Sequence, residues 1–257
     1  MEPKVLVALD GPVATLTLNR PEKMNALDME MLGLLEDACA QLEGAAGVRA
    51  VLLTGAGERA FSVGADIHAW SALQPLDMWR RWIRDGHRVF SRLAALRLPV
   101  IAALNGYTFG GGLELALAAD LRVAAAGIEL AFPEVTLGTV PGWGGTQRLP
   151  TLVGASRAKR LILTGGRIDA ATAERWGLVD EVVPRDELMA RARDLAGQIA
   201  ANAPVAVQMA KSLIDGADGV AGLTLEGLAG ALAATTADGR EGTAAFRERR
   251  APHFTDA

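Results

Sequence analysis

Short β-prone runs alternate with amphipathic helical segments through the first half of the sequence, and this alternation constrains the fold more than any other feature. Residues 5–9 and 13–18 flank Asp10-Gly11-Pro12, a strong turn signal, and predict a β-hairpin. The other predicted elements are strands at 50–54, 100–104 and 121–125 and helices at 27–43, 76–97 and 110–119. Strands that alternate with helices in this way favour an α/β fold with a largely parallel sheet.

The second half of the sequence has a different character. The segments with helical periodicity there are rich in alanine and lie at 155–164, 170–176, 185–200, 205–215 and 223–236. Almost no strand signal remains beyond about residue 155. We therefore predict a β/α core that is followed by a helical C-terminal portion.

Composition narrows the classes of protein to which the chain can belong. Half of the 257 residues are hydrophobic and 22% are charged, which supplies a full core and excludes a disordered chain. The net charge of −4 offers no broad basic face for nucleic acid. Three scattered histidines and a lone cysteine, Cys39, have no metal-ligand spacing, so we expect no metal.

The location of the protein can also be predicted. One cysteine suits a reducing cytosol, and the N-terminal residues do not resemble an export signal. The sequence contains no uninterrupted apolar run of the ~20 residues that are needed to span a bilayer. We expect a cytoplasmic protein without a membrane partner.

The segment 55–60 reads GxGxxA directly after a predicted strand and has two interpretations. It could be a dinucleotide-binding fingerprint, with Asp77 about 20 residues further on. However, Gly64 would break the helix that such a site requires. A simple turn after the strand is the favoured interpretation.

A glycine run at 110–112 opens the predicted helix that carries Glu114. Glycines permit close backbone approach, and a helix start presents free N–H groups that suit a developing oxyanion. Helix packing at the glycines, together with a favourable acid in the first turn, explains the same residues equally well. The spacing alone leaves both interpretations open.

A second carboxylate, Glu134, lies between Ala131 and Leu137 in a stretch with few other charges. Taken alone, it fits a surface acid at a helix entry better than a functional group. Two carboxylates in apolar, glycine-rich surroundings are nevertheless what acid–base chemistry needs, because burial and mutual repulsion separate their pKa values.

Five motifs follow one another in a characteristic order. They are Asn19-Arg20-Pro21 with Asn25-Ala26-Leu27, the segment 60–67 (AFSVGADI), the segment 100–107 (VIAALNGY), the segment 110–115 (GGGLEL), and Phe132-Pro133-Glu134 with 141–149 (PGWGGTQRL). Together they resemble the crotonase (enoyl-CoA hydratase/isomerase) superfamily, from about residue 5 to Phe254.

The resemblance implies an architecture and an assembly. We expect an α/β protein with a crotonase-like ββα spiral core over residues 1–195 and a C-terminal helical oligomerisation region over 196–257. The implied assembly is a homotrimer or a homohexamer. The implied partner is an acyl-CoA thioester substrate, with no cofactor beyond the coenzyme A that the substrate carries.

The resemblance also implies a reaction and its principal residues. Ala65 and Gly111 match the positions whose backbone N–H groups form the oxyanion hole around the thioester carbonyl. Glu114 and Glu134 match the two catalytic glutamates that add water to an enoyl-CoA to give a 3-hydroxyacyl-CoA. Glu114 is expected to activate the water and Glu134 to supply the proton to C2.

Further positions match the family's substrate-binding stretches. They are Lys23, Met24, Ala26, Gly64, Asp66, Ile67, His68, Gly110, Pro133, Thr139, Pro141 and Gly142. His68 departs from the lysine that is often found at its position. Four tryptophans could line an acyl pocket or could pack in the core: Trp70, Trp79, Trp82 and Trp143.

Other activities remain to be weighed against hydration. An enoyl-CoA isomerase often keeps one acid at these positions, so the presence of both Glu114 and Glu134 favours a hydratase. A hydratase-lyase for aromatic acyl-CoA substrates stays open. An RNA-binding relative would need cations on its first helix, and residues 27–43 contain no Lys or Arg. A catalytically silent scaffold is a further alternative.

Overall fold

The computed structural model describes residues 2–216 and 219–257, and within them ten strands form two sheets. The strands are β1 (Val5–Asp10), β2 (Val13–Leu18), β3 (Ala50–Gly55), β4 (Ala60–Ser62), β5 (Val100–Leu104), β6 (Tyr107–Phe109), β7 (Leu121–Ala125), β8 (Glu129–Ala131), β9 (Arg167–Asp169) and β10 (Glu181–Val183). The larger sheet has the order β1-β2-β3-β5-β7-β10, and the smaller has the order β4-β6-β8-β9. Only the edge pairs β1–β2 and β8–β9 are antiparallel.

Helices connect and cover the two sheets. They are α1 (Met29–Gly44), α2 (Ile67–Ser71), α3 (Pro75–Asp77), α4 (Arg84–Ala94), α5 (Gly111–Ala116), α6 (Gly145–Val153), α7 (Ala155–Thr164), α8 (Ala170–Trp176), α9 (Leu188–Ala200), α10 (Pro204–Gly216), α11 (Gly219–Thr235) and α12 (Ala237–Glu248). A π-helical segment, Met78–Ile83, joins α3 to α4. The Asp28 side chain caps α1 by accepting a hydrogen bond from the backbone N–H of Met31.

The chain repeats one path three times. It runs through a strand of the larger sheet, then a strand of the smaller sheet, then helix: β3 and β4 precede α2, β5 and β6 precede α5, and β7 and β8 precede α6. This repetition is a ββα spiral and confirms the predicted α/β class with a largely parallel sheet. The predicted hairpin and the strands at 50–54, 100–104 and 121–125 are confirmed as β1–β2, β3, β5 and β7.

Several elements differ from the sequence prediction. The helix expected over 76–97 is divided by the π-helical segment, and the helix expected over 110–119 is shortened to α5. The expectation of almost no strand beyond residue 155 was wrong, because β9 and β10 lie there and pair with β8 and β7. Each of these two strands has only three residues, which is too short for a periodic signal.

The helices from residue 155 onward agree with the predicted segments, and α12 adds to them. Before residue 155, α6 was not predicted either. The expected division at residue 195 falls inside α9, which packs against β2, β3, β5 and β7 of the larger sheet. Of the three helices that follow α9, α11 has mostly exposed side chains over its described residues, whereas α10 and α12 each have more than half of theirs buried or half-buried. Among the described helices, none has both the length and the hydrophobicity required to span a bilayer.

The fold determines where a ligand site can form. Ala65 follows β4, Gly111 follows β6, and Glu134 follows β8. These three strands are parallel neighbours in the smaller sheet, so their carboxyl ends meet along one edge. The carboxyl edge of a parallel sheet is where ligands bind in α/β proteins.

Candidate active site

Two backbone N–H groups meet at this edge without partners. A Cβ placed on Gly111 would lie 3.5 Å from the Ala65 nitrogen, and a Cβ placed on Gly64 would lie 2.8 Å from the Gly111 nitrogen. Within residues 2–216 and 219–257, neither the Ala65 nor the Gly111 N–H donates a hydrogen bond. Gly111 is the first residue of α5, where N–H groups have no intrahelical acceptor. The pair can therefore bind one oxygen that carries developing negative charge.

Two glycines with positive φ allow this approach. Gly64 has a φ of +90° and Gly110 a φ of +50°, backbone conformations that side chains disfavour. A Cβ on Gly64 would also lie 2.8 Å from the Phe109 carbonyl oxygen, so the segments that follow β4 and β6 could not come this close. The glycine run is required by the geometry of the backbone, and close approach explains it better than helix packing does.

Glu114 is held by backbone N–H groups of a different element. Its side chain comes from α5, is 1% exposed, and accepts two hydrogen bonds at Oε1, each of 2.7 Å, from the N–H groups of Trp143 and Gly145. Gly145 begins α6, so the positive end of that helix also faces the carboxylate. Burial raises the pKa of Glu114, while these N–H groups and the Arg148 guanidinium oppose the rise by stabilising the charged form.

Trp143 anchors the loop that supplies these donors. Its indole Nε1–H donates to the Trp82 carbonyl oxygen at 3.1 Å, and its ring packs 5.2 Å from Trp82 and 5.3 Å from Phe90. The Arg148 guanidinium in turn donates to the Trp143 carbonyl oxygen at 3.1 Å. These contacts fix the backbone N–H that points at Glu114.

Glu134 has the opposite surroundings. It begins a 3-10 turn after β8, and its Oε2 is buried with no hydrogen-bond partner in the described part of the chain. Burial, with a smaller contribution from the negative charge of Glu114, raises the pKa of Glu134 to about 7. A Cβ on Gly110 would lie 2.7 Å from Oε1 of Glu134, which places this carboxyl group directly beside the Gly110–Gly111 backbone.

One cavity of about 140 Å³ joins the two glutamates and the two N–H groups. Of the residues predicted from the sequence, it is lined by Ala65, Ile67, Gly110, Gly111, Glu114, Pro133, Glu134, Thr139 and Gly142. Three of the four tryptophans, Trp70, Trp82 and Trp143, also line it. Trp79 lies elsewhere, 66% exposed on the surface.

The remaining predicted substrate-binding residues lie outside this cavity: Lys23, Met24, Ala26, Gly64, Asp66, His68 and Pro141. Most of them belong to two neighbouring segments, 23–26 and 63–68. The backbone joins these segments where the Val63 N–H donates to the Met24 carbonyl at 3.2 Å and the Leu27 N–H donates to the Gly64 carbonyl at 2.8 Å. The two segments therefore lie side by side next to the cavity, which Val63, Ala65 and Ile67 help to line.

Asp66 uses its carboxylate within the protein. Oδ2 accepts a hydrogen bond from Arg20 at 2.7 Å, and Oδ1 caps α2 by accepting from the N–H groups of His68 and Ala69. The Arg20 guanidinium also donates to the Ala26 carbonyl at 3.0 Å. Asp66 therefore links the two segments and positions the backbone on which Ala65 lies.

The GxGxxA string at 55–60 is a turn, as favoured. Gly55 ends β3 and Ala60 begins β4, so no helix follows the strand. The Asn105 side chain donates to the carbonyl oxygens of Gly55 and Gly57 at 2.9 and 2.8 Å and fixes the turn. The dinucleotide-binding interpretation was wrong.

Sequence reasoning did not identify all of the cavity wall. Met78, Ile83, Leu137 and Val140 line it as well. Met78 and Ile83 lie on the π-helical segment, whose altered periodicity hides which side chains share a face. The backbone donor at Gly145 was also missed, since a backbone N–H leaves no residue-type signal.

The sequence pattern of the enoyl-CoA hydratase/isomerase family matches residues 9–257. The chain belongs to this family. Over 249 residues it is 41% identical to the short-chain-enoyl-CoA hydratase of Clostridium acetobutylicum, a match that covers 96% of this chain and 95% of that protein. It is 38% identical over 253 residues to the crotonyl-CoA hydratase of Syntrophomonas wolfei, with 97% of each chain covered.

A solved structure of the family gives the same result for the fold. The crystal structure of an enoyl-CoA hydratase from Bacillus anthracis has a TM-score of 0.95 and 40% sequence identity to this chain. The match covers 99% of this chain and 100% of that one. The crotonase-like ββα spiral expected from the sequence motifs is confirmed.

Proposed function

We propose that this member of the family is an enoyl-CoA hydratase that adds water across the C2–C3 double bond of an enoyl-CoA to give a 3-hydroxyacyl-CoA. The observation that carries the proposal is the pair of carboxyl groups in one cavity, Glu114 with two backbone donors and Glu134 with an unpartnered buried oxygen. Relatives with 38–41% identity bear the names of hydratases, which supports the same reaction.

The free N–H groups of Ala65 and Gly111 are proposed to bind the thioester oxygen. Attack of water on C3 moves the electrons of the double bond toward C2 and the thioester carbonyl, so negative charge develops on that oxygen. Each donor in such a hole is worth about 3 kcal/mol in transition-state stabilisation. Gly111 adds the positive end of α5 behind its N–H.

The two glutamates are proposed to divide the proton transfers. Glu114 is the residue better stabilised as a carboxylate, so it accepts a proton from the attacking water while the hydroxyl bonds to C3. Glu134, with its pKa raised to about 7, is the residue better held protonated, so it gives its proton to C2. In total, the substrate gains one hydroxyl group and one proton, which is one water molecule. Before the next turnover, a proton must pass through solvent from Glu114 to Glu134.

The alternative functions are less well supported by the residues. Isomerisation of a double bond transfers a proton between two carbons and can use a single acid–base group, which leaves one of the two glutamates without a role. RNA binding is not supported by α1, which contains no Lys or Arg and carries Glu30, Glu36, Asp37 and Glu43. Addition of water changes no overall oxidation state, so we propose no cofactor beyond the coenzyme A of the substrate.

Further proposals concern the coenzyme A, the assembly and the location. The surface of segments 23–26 and 63–68 is proposed to contact the CoA portion of the substrate, with the exposed Lys23 as its cation.

The C-terminal region over 196–257 is proposed to join copies of the chain into a homotrimer or homohexamer. Large apolar side chains there are at least half exposed: Ile214, Leu223, Leu228, Leu232 and Phe246. We propose a cytoplasmic location, consistent with the single cysteine.

Turnover of crotonyl-CoA tests the proposed reaction. We expect the purified protein to remove the ultraviolet absorbance of the conjugated enoyl thioester and to form 3-hydroxybutyryl-CoA, identified by mass as substrate plus one water. Conversion to an isomeric enoyl-CoA with no gain in mass would contradict hydration. A protein that binds the thioester and returns it unchanged would support the scaffold alternative.

A further inference from the structure

The π-helical segment Met78–Ile83 shapes the end of the candidate active site. In a π-helix, residues five apart lie on the same face, so Met78 and Ile83 are aligned and Trp82 lies next to them. All three side chains line the cavity that contains the two glutamates. A regular α-helix would turn Ile83 away from Met78 and leave an opening in this wall.

Ile83 separates this cavity from a second one. The outer cavity has a volume of about 560 Å³ and is lined by Trp79, Arg80, Ile83, Arg84 and His87. Of the described residues, Ile83 alone lines both cavities. It is half-buried, and its Cδ1 would lie 2.5 Å from a Cβ on Gly142, so it packs directly against the loop that precedes Trp143.

The inner cavity has little spare volume. Its volume of about 140 Å³ is a quarter of the volume of the outer cavity, about 560 Å³. The inner cavity therefore suits a short acyl group together with the attacking water. A longer acyl chain must pass the Ile83 side chain to continue, and beyond it lies the larger outer cavity.

We propose that Ile83 limits the length of the acyl chain, so that the enzyme selects short enoyl groups such as crotonyl. This inference rests on the proposed hydratase function and adds the substrate class and the residue that selects it. Removal of the Ile83 side chain beyond Cβ connects the inner cavity to the outer one and gives a long chain a path along the Trp79 ring.

The test compares crotonyl-CoA with trans-2-decenoyl-CoA in four proteins: wild type, Ile83→Ala, Ile83→Val and Trp79→Ala. The quantity measured is the ratio of kcat/KM for decenoyl-CoA to kcat/KM for crotonyl-CoA. A general loss of activity or of folded protein lowers both kcat/KM values by the same factor and cancels in the ratio. The ratio therefore reports selectivity rather than stability. Trp79→Ala is the matched control, because Trp79 lines the outer cavity but not the inner one.

We expect the wild-type ratio to be below one tenth. Ile83→Ala should raise it at least tenfold, because each methylene that becomes buried contributes about fourfold. Ile83→Val should raise it by a smaller factor, and Trp79→Ala should not raise it. An unchanged ratio in both Ile83 variants, or an equal rise in Trp79→Ala, would overturn the assignment. Failure of the wild type to hydrate crotonyl-CoA would instead overturn the proposed function, and this inference with it.

Discussion

Glu114 and Glu134 face one cavity, but the elements around them differ. The Oε1 of Glu114 receives the N–H groups of Trp143 and Gly145, and α6 directs its positive end at that oxygen. The Oε2 of Glu134 is buried without a hydrogen-bond partner among the described residues. The surroundings therefore favour the ionised carboxylate at Glu114 and the protonated acid at Glu134.

The difference shows how a fold can assign opposite proton roles to identical residues. Neither glutamate has a cation within ion-pair distance in the part of the chain that the structure describes, so the charge state is set mainly by backbone donors and burial. The donors come from the loop before α6, which Trp143 anchors to the Trp82 carbonyl. In the proposed mechanism, the positioning of that loop therefore decides which carboxyl group acts as the base.

The largest expected effect comes from removing either acid. Glu114→Gln and Glu134→Gln should each lower kcat for crotonyl-CoA hydration by at least about 100-fold, the scale of general acid–base catalysis. A Gln amide oxygen can still accept both N–H groups at position 114, so the fold and the binding of a CoA ester should survive. Steady-state turnover and equilibrium binding of the product measure the two effects separately.

Glu129→Gln is the matched control for these variants. Glu129 lies at the start of β8, close in sequence to Glu134, and pairs on the surface with Arg167 at 2.8 Å. Its loss should change kcat by less than about twofold, since an exposed ion pair contributes little. Near-normal turnover by Glu114→Gln or by Glu134→Gln would show that the substituted glutamate takes no part in the proton transfers.

The second effect concerns the thioester oxygen, on which negative charge develops during the proposed reaction. Ala65→Pro removes one N–H of the proposed hole and should lower kcat about 100-fold. Position 65 is the better place for this test, because a Cβ at Gly111 would lie 2.6 Å from the Trp143 ring and would disturb the Glu114 donors as well. Circular dichroism checks that the variant folds. Full turnover by a folded Ala65→Pro protein would contradict the oxyanion assignment.

A smaller effect should follow from loosening the donors of Glu114 alone. Trp143→Phe keeps a ring in the core and deletes the 3.1 Å hydrogen bond to the Trp82 carbonyl, worth about 1 kcal/mol. We expect kcat to fall about fivefold with little change in KM. Trp176→Phe, on α8 and outside the cavity, serves as the control. Equal effects of the two substitutions would show that the Trp143 anchor does not act on Glu114.

The smallest effect on turnover is expected in the C-terminal helices. Leu228→Gln places a polar group on the exposed apolar face of α11 and should reduce the assembled mass in light scattering. Because Leu228 does not line the cavity that holds the two glutamates, kcat should change by less than about threefold. An unaltered oligomer would show that another face joins the subunits.

Five of the six strands of the larger sheet could be predicted from the sequence, whereas its edge strand β10 and the whole of the smaller sheet could not. β3, β5 and β7 are buried runs of five or six residues with turn signals at their ends, and each was predicted within one residue. The strands β4, β6 and β8 have three residues each and show no period. The edge that carries the site belongs to these short strands, so local patterns did not reveal it.

The site residues were also predictable to different degrees, because local sequence patterns do not show which residues meet in space. Glu114 and Glu134 could be selected as candidates by residue type, but only the family motifs brought them together, since β7 and β8 lie between them. The donors at Trp143 and Gly145 are backbone groups, and any residue type carries an N–H there. The role of Ile83 depends on the π-helical hydrogen bonding, which the apolar pattern over 76–97 does not encode.

The pH dependence of crotonyl-CoA hydration tests most directly whether the two carboxyl groups differ as described. A pKa of Glu134 raised to about 7 keeps this group protonated below that pH and able to give its proton to C2. The account predicts that kcat/KM falls about tenfold per pH unit above pH of about 7, and that the residual activity of Glu134→Gln lacks this fall. A wild-type profile that stays flat well above pH 7, or a fall that persists in Glu134→Gln, would contradict the assignment of Glu134 as the acid.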